Sequence, residues 1–331
     1  MKTYIIFDLE WNQSPQGKEG SVENLSFEIV EIGAVRMDES FRIVGKFHKL
    51  IKPQVYREMH RMISEVTHLD IRELDRQGEE FPDVIREFAS WCGEDPVFCT
   101  WGSMDLTELQ RNVTYYGLEN PFPMPLFYYD VQKLYGLFRG DMKIRVSLDS
   151  AVEELGISEN RPFHRALDDA YYTARVMSLI GFDRMERYVS VDYYRVPKTR
   201  EEEVYLVFPD YSKYVSRVFD TKEEAMEDKA VTDMLCYECR RMLRKKVRWF
   251  SVNQKTYYCL AACPEHGYVK GKIRMKKTDD DKVFVVKTIK ITGEDGAKLI
   301  LERKEEVRKR RNEKNKLSKI RKKMKKNREI E

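Results

Sequence analysis

Asp8 and Glu10 stand two residues apart at the end of a short apolar run, Tyr4-Ile5-Ile6-Phe7. In an extended chain residues i and i+2 project from one face, so both carboxylates leave the expected strand together. Close carboxylates repel each other unless a cation neutralises them, and an oxygen-only donor set suits a hard divalent ion such as Mg²⁺ or Mn²⁺. Taken alone, the pair amounts to two solvated acids at a strand exit. A second acid, Asp105, follows Thr100-Trp101-Gly102-Ser103-Met104 at another expected strand-to-helix passage. There it also suits the positive end of the helix dipole. The third segment, His164-Arg165-Ala166-Leu167-Asp168-Asp169-Ala170, puts an imidazole just before a helix and a carboxylate about one turn in. Ala166 and Ala170, one turn apart, allow that helix to pack closely on a sheet. The residues themselves do not choose between Asp168 and Asp169.

The elements that must carry these groups are legible in outline. Tyr4–Phe7 is rich in β-formers and reads as a buried strand. Glu28–Met37 and Phe41–Ile51 read as two more, suggesting an antiparallel three-strand start. Helical spacing runs through Ser64–Leu74 and Pro82–Cys92, the latter with proline in its first turn. A strand is expected over Pro96–Trp101, then a helix over Ser103–Tyr116 with Ser103 as N-cap, and a strand over Phe127–Asp130. Further helices are expected over Val131–Phe138, Leu148–Leu155 and Arg165–Ile180. Strands first, then strand–helix alternation, argue for an α/β domain with a mixed sheet and helices on its faces.

The six cysteines are unevenly placed. Cys92 and Cys99 flank an expected strand and read as buried thiols, whereas four crowd between residues 236 and 263. Cys236-x-x-Cys239 and Cys263-x-x-His266 are two matched pairs 23 residues apart, a spacing that suits a closed tetrahedral zinc site. Cys259 competes for one ligand position. Basic residues including Arg244 and Lys245 surround the cluster, and aromatic neighbours such as Trp249 offer faces for stacking bases.

Charge divides the 331-residue chain further. Its formal net charge is +4, but residues 298–331 hold 16 Lys/Arg against 6 Asp/Glu, which leaves the remainder at −6. An acidic body with a basic tail points to a nucleic-acid partner. The tail reads as helical or disordered, with Arg308–Arg311 and Lys319–Arg328 as a phosphate-binding arm whose contribution falls with salt. No apolar run approaches bilayer length, and the opening MKTYIIFDLEW is too short for a secretory leader. A cytoplasmic protein with no membrane partner is expected. Four parts are expected: a catalytic domain over 1–185, a linker over 186–203, a small zinc-binding β-rich region over 204–297 made of short hairpins, and the tail over 298–331.

Taken together and in order, Asp8-x-Glu10, Asp105 and His164-x-Ala166-x-x-Asp169 resemble the DEDDh 3′-5′ exonuclease superfamily. Glu31-Ile32-Gly33-Ala34-Val35 and Tyr129-Asp130-Val131-Gln132-Lys133-Leu134-Tyr135 are further matches. The Thr100-Trp101-Gly102-x-x-Asp105 form, with Ser147-Leu148 and Arg161-Pro162-x-His164, is most similar to the branch holding the histone-mRNA 3′-end and bacterial sporulation-inhibitor-type exonucleases. This resemblance covers about residues 1–182 and selects Asp169 over Asp168. It implies a ribonuclease H-like fold, and two Mg²⁺ or Mn²⁺ held by Asp8, Glu10, Asp105 and Asp169. It also implies His164 as general base, and single-stranded RNA or DNA 3′ ends as substrate, RNA favoured. Where many relatives have Thr after the first pair, this chain has Trp11-Asn12-Gln13, so Trp11 is a candidate contact to the terminal base or a core residue. The alternative is a nucleic-acid-binding or regulatory protein on an exonuclease scaffold; a missing acid would favour it, and none is missing.

Overall fold

The computed structural model describes residues 2–141, 144–158, 160–278 and 280–328, the side chains of Arg184 and of residues 317–328 excepted. The chain divides into two compact units, Met1–Arg195 and Val196–Glu331.

The first unit opens with β1 (Tyr4–Asn12), β2 (Glu28–Met37) and β3 (Ile43–Leu50), paired antiparallel. Helices α1 (Arg61–Thr67), α2 (Ile71–Gln77) and α3 (Phe81–Cys92) follow, then β4 (Val97–Thr100) and α4 (Met104–Tyr115). β5 (Phe127–Asp130) leads into α5 (Val131–Arg139), α6 (Leu148–Glu154), α7 (Ala166–Leu179), α8 (Phe182–Met185) and β6 (Ser190–Val191). The strands form one six-stranded mixed sheet, β3-β2-β1-β4-β5-β6, with β4 and β5 parallel to β1. Alternation along β1 builds two cores. Ile5, Phe7 and Leu9 pack with α3 and α4 through Phe81, Phe88 and Leu109, while Tyr4 and Ile6 pack with α5 and α7 through Leu134 and Tyr172. The same parity sends Asp8 and Glu10 to the α7 side.

Four expectations need correction. β1 does not end at Phe7: it continues to Asn12, because Asp8 through Asn12 pair with Gly33 through Glu28 of β2. The acids therefore lie inside a strand, not at its exit. The helix expected over Ser64–Leu74 is two helices, broken where His68 adopts a left-handed conformation and Asp70 caps α2 through Arg72 N. Ser103 precedes α4, yet its hydroxyl makes no cap bond. The linker expected over 186–203 holds a strand: β6, Ser190–Val191, pairs with β5.

In the second unit β7 (Val204–Phe208) and β8 (Tyr211–Val215) precede the short helices α9 (Lys222–Glu227) and α10 (Lys229–Thr232). β9 (Arg244–Ser251), β10 (Thr256–Cys263), β11 (Gly267–Lys277), β12 (Val283–Thr292) and α11 (Glu294–Arg328) complete it. Short hairpins were expected here; consecutive strands do pair antiparallel, and they join in one sheet, β7-β8-β12-β11-β10-β9. One face is covered by α9, α10 and the cysteine-bearing loop, around Met234, Phe219, Val231 and Ile273. On the other, Ala297 and Ile300 at the start of α11 pack on Val247 and Leu260. The rest of α11 offers little to bury, and its side chains from Leu301 to Lys316 are exposed apart from a half-buried Val307. The side chains expected to form the arm at Lys319–Arg328 lie outside those described.

Candidate active site

The site begins with register. Asp8 sits opposite Gly33, which sits opposite His48; Glu10 sits opposite Glu31. Paired residues share a face, so these groups stand side by side on the α7 side of the sheet. Gly33 is what lets α7 approach. A Cβ there would lie 1.9 Å from the Leu167 backbone nitrogen and 2.1 Å from the Ala166 carbonyl carbon, so the first turn of α7 rests directly on β2. That contact carries Asp169, one turn into the helix, down to β1. Carboxylate oxygens of Asp8, Glu10 and Asp169 all lie within 4.8 Å of one another.

A second lock holds the helix start. Glu31, almost fully buried, accepts from His48 Nε2 at 2.6 Å, from Arg165 Nη2 at 3.0 Å and from the Ala166 amide at 3.4 Å. Burial acts to raise this carboxyl, but the bonds from His48 and Arg165 outweigh it and hold Glu31 below the usual carboxylate range. Glu31 is therefore an ionised, tethered acid and not a fourth member of the cluster. In the sequence Glu31 and Arg165 stand only as members of quoted segments, with no role assigned, and His48 was missed; a charged residue at a strand position flanked by apolar neighbours was the available signal.

The other predicted groups fall into place around the trio. Asp105 is buried in the first turn of α4 and accepts the backbone N–H of Leu9, between the two β1 acids. It stands beside the trio rather than within it. Asp168 is taken by Arg161 at 2.7 Å, so the neighbour of Asp169 is an ion-paired acid. The amide of His164 donates to Asp169 Oδ2 at 3.1 Å, its backbone is left-handed (φ 63°), and its side chain is exposed. Trp11 is half-buried and tilts against Phe27 with ring centroids 5.5 Å apart, packed on the core under β1.

Four acids gathered here, Asp105 and Asp169 buried and Asp8 and Glu10 half-buried, hold their protons strongly. Burial, then the charges of Asp105 and Asp169, push Asp8 well above the usual range. Burial and Asp169 raise Glu10 to about 8; burial, partly offset by backbone bonds, raises Asp105 and Asp169 to about 7. Asp169 Oδ1 is buried with no hydrogen-bond partner. An oxygen-only trio with an orphaned oxygen and mutual repulsion fits a divalent cation, and such a cation would remove the cause of the raised values.

The RNase T exonuclease family model matches residues 5–177, which takes in every residue just described. The chain belongs to the exonuclease family. Its six-stranded mixed sheet with helices on both faces is the ribonuclease H-like arrangement that this membership implies. A probable 3′-5′ exonuclease, KapD, of Bacillus subtilis (strain 168) is 29% identical over 181 residues, 54% of this chain and 85% of the relative. Among solved structures, the nuclease domain of 3′hExo, a DEDDh family member bound to rAMP, is 21% identical, with 58% of this chain and 96% of that one covered and a TM-score of 0.48. Exonuclease I of E. coli in complex with a dA16 oligonucleotide is 12% identical, with 79% and 55% covered and a TM-score of 0.49.

This exonuclease carries a second cluster in its other unit. Cys236 Sγ and Cys263 Sγ each lie 3.5 Å from His266 Nδ1, and Cys239 Sγ lies 3.6 Å from Cys263 Sγ. These separations match the edges of a tetrahedron with metal–sulfur bonds of about 2.3 Å and a metal–nitrogen bond of about 2.0 Å. Two tight turns present the ligands: Cys236–Cys239 within the Leu235–Met242 bridge, Arg240 left-handed behind it, and Cys263–His266 at the β10–β11 turn, closed by left-handed Gly267. Cys259, the rival ligand, is elsewhere; its buried thiol donates to the Val247 carbonyl at 3.1 Å. Trp249 is committed to packing between the two clusters of the covered face, and its Nε1 donates to the Thr232 carbonyl at 2.8 Å. Lys245 pairs with Ala261 on that same face, while Arg244 is exposed. No helix among the described residues is long and apolar enough to cross a membrane.

Proposed function

We propose that the chain shortens single-stranded nucleic acid from its 3′ end, RNA in preference to DNA, releasing 5′-mononucleotides. The observation that carries this reading is the convergence of Asp8, Glu10 and Asp169 within 4.8 Å inside an exonuclease-family domain. Asp8, Glu10 and Asp169 would hold Mg²⁺ or Mn²⁺, with Asp105 beside them supporting a second such ion. When bound, such ions supply a water of lowered pKa and neutralise charge building on the phosphate and the departing 3′ oxygen.

The chain's own groups supply the rest. Gly33 and the Glu31–Arg165–His48 lock fix α7, so Asp169 meets β1 without a search over conformations. His164 is the general base. Its left-handed backbone turns the residue at the mouth of α7, its amide is tied to Asp169, and its exposed imidazole would take the proton from the attacking water. The preference for RNA rests on the Thr100-Trp101-Gly102 resemblance. In the second unit, Cys236, Cys239, Cys263 and His266 would hold one structural Zn²⁺.

The test is direct. Unstructured RNA and DNA oligonucleotides of one sequence, labelled at either end, are incubated with the protein and Mn²⁺, with and without chelator. A metal-dependent ladder from the 5′-labelled strand, with labelled mononucleotide released first from the 3′-labelled strand, is the expected result. Binding without shortening, or shortening from the 5′ end, would overturn the reading.

A further inference from the structure

The six strands of the second unit contain no Asp or Glu at all, whereas β9 alone carries four Lys/Arg and β11 five. Four of the five on β11 share one face. Lys270, Lys272, Arg274 and Lys276 alternate along β11 and so project from a single face. The intervening Val269, Ile273 and Met275 are buried in the opposite core. Alternate strand positions are about 7 Å apart, so these four cations form a row about 20 Å long in the centre of the sheet.

Register adds to the row from both sides. Lys290 of β12 pairs with Lys270, and Lys213 of β8 pairs with Thr288, which pairs with Lys272. On the other flank Lys272 pairs with Tyr258 of β10, which pairs with Phe250 of β9. The Tyr258 ring is half-buried, with Lys272 Nζ 5.8 Å and the Arg303 guanidinium of α11 4.9 Å from its centroid. Burial and the neighbouring charges of Lys290 and Arg303 push the Lys270 ammonium below its ordinary value. A crowd of like charges is costly by itself, and a polyanion laid along it relieves the repulsion. A flanking tyrosine and phenylalanine add ring surface of the sort on which unstacked bases lie.

We infer that this face of the second unit's sheet, beside the first turns of α11 that pack on Val247 and Leu260, is a binding platform for single-stranded nucleic acid, with the β11 cations holding successive phosphates and Tyr258 meeting a base. The cysteine cluster lies on the other face of the same sheet, packed with Met234 and Val269. Single-stranded nucleic acid is chosen over an acidic peptide or an anionic membrane because the cations are linear, evenly spaced and flanked by aromatic rings. The choice of ligand also rests on the exonuclease reading.

The experiment compares the full chain with a Lys272→Ala/Arg274→Ala/Lys290→Ala variant, both in an Asp8→Asn background so that bound strands persist. Fluorescence anisotropy reads binding of an unstructured RNA and its DNA counterpart over a salt series. Polyglutamate and phosphatidylserine vesicles serve as the other polyanions. Thermal melting and zinc content verify that the variant is folded. We expect affinity for the oligonucleotides to fall about tenfold or more at low salt, and the slope of log K against log salt to shrink by about 2, the value for three lost phosphate contacts. Tyr258→Leu should weaken RNA binding without changing that slope, since it removes a stacking surface and no charge. An unchanged affinity and slope in the folded triple variant would overturn the proposal, as would polyglutamate or vesicles binding as tightly as the strands. A wild-type chain that fails to cut while binding still depends on these cations counts against the nuclease reading alone.

Discussion

The two ligand clusters of this chain are built by opposite routes. Asp8, Glu10 and Asp169 meet through long-range contacts: a strand register, a glycine that admits a helix, and a buried carboxylate that ties the helix down. Cys236, Cys239, Cys263 and His266 are brought together by two tight turns within one short stretch of sequence. In the first cluster the ligands resist one another, holding protons at pH values where free carboxylates are ionised. In the second the thiols divide: burial, with Cys239 and Cys263, holds Cys236 above its ordinary value, whereas Cys263 is brought down to about 6, since burial acts to raise it but His266, the amides of Glu265 and His266, and Cys239 outweigh that effect. The acidic unit has an independent sheet and core to keep its groups in place. The thiolate unit has modest cores, and a metal there would contribute to folding directly.

The largest effect that would test this contrast is the loss of a zinc ligand. Structural zinc contributes on the order of 10–16 kcal/mol of apparent folding free energy in small domains. Cys236→Ser should therefore strip the zinc and leave residues 204–297 open to protease, while Cys259→Ser, outside the cluster, retains the metal. Zinc content by atomic absorption with limited proteolysis reads both. A Cys236→Ser protein as protease-resistant as wild type would mean that the sheet, not the metal, holds this unit together.

In the acidic cluster the same kind of substitution should cost function more than fold. Asp8→Ala removes the residue facing all the others, and turnover should fall by about 10³-fold or more, the several kcal/mol of charge stabilisation that bound metal supplies. His164→Ala should cost about 10²–10⁴-fold in rate while leaving Mn²⁺ affinity near wild type, since its side chain is no part of the trio. Rates on a labelled oligonucleotide beside Mn²⁺ titration calorimetry separate the two roles. Full activity in His164→Ala would remove the imidazole from the chemistry.

How far each cluster could be read from sequence follows from how it is assembled. Two x-x pairs of Cys and His are local, so spacing alone points to the four thiolate-site ligands and leaves only Cys259 as a competitor. Nothing local joins residue 8 to residue 169; only the resemblance brought them together and chose Asp169 over Asp168. Among elements, Glu28–Met37 and Phe127–Asp130 are legible to the residue: the first stops at Asp38, and the second ends at Asp130, whose side chain caps α5. β1 is misread past Phe7 because Asp8, Glu10 and Asn12 look like a strand exit, when tertiary pairing with β2 keeps them extended. The break at His68 escapes a periodicity argument, since Ser64 through Leu74 have helical spacing on both sides of a left-handed residue. The Glu31–Arg165–His48 lock is invisible for the same reason as the acidic site: its partners are 134 and 17 residues from Glu31, and only the folded sheet makes them neighbours.

The smallest effect is also the one that distinguishes the clusters most cleanly, because it depends on sign. Unfolded carboxylates titrate near pH 4, whereas Glu10 titrates at about 8 and Asp105 and Asp169 at about 7 in the fold. Between these limits the folded chain without metal holds protons that the unfolded chain releases. Its stability from this source is full below pH 4 and is lost as pH rises through 7 to 8. A divalent ion bound by the ionised trio reverses the trend, since protons and metal compete for the same oxygens. Melting of protein dialysed free of added divalent ions, followed by the fluorescence to which Trp11, Trp91 and Trp101 of the first unit contribute, should therefore show a lower Tm at pH 8 than at pH 5. Added Mn²⁺ should raise Tm by several degrees at pH 8 and by little at pH 5; each kcal/mol is worth about 2–4 °C in a domain of this size. Asp169→Asn should flatten both responses, because it removes the acid with the orphaned oxygen and relieves its neighbours. An equal Mn²⁺ shift at both pH values would mean that the ion binds elsewhere, and that the crowding of these carboxylates is not what prepares the site for metal.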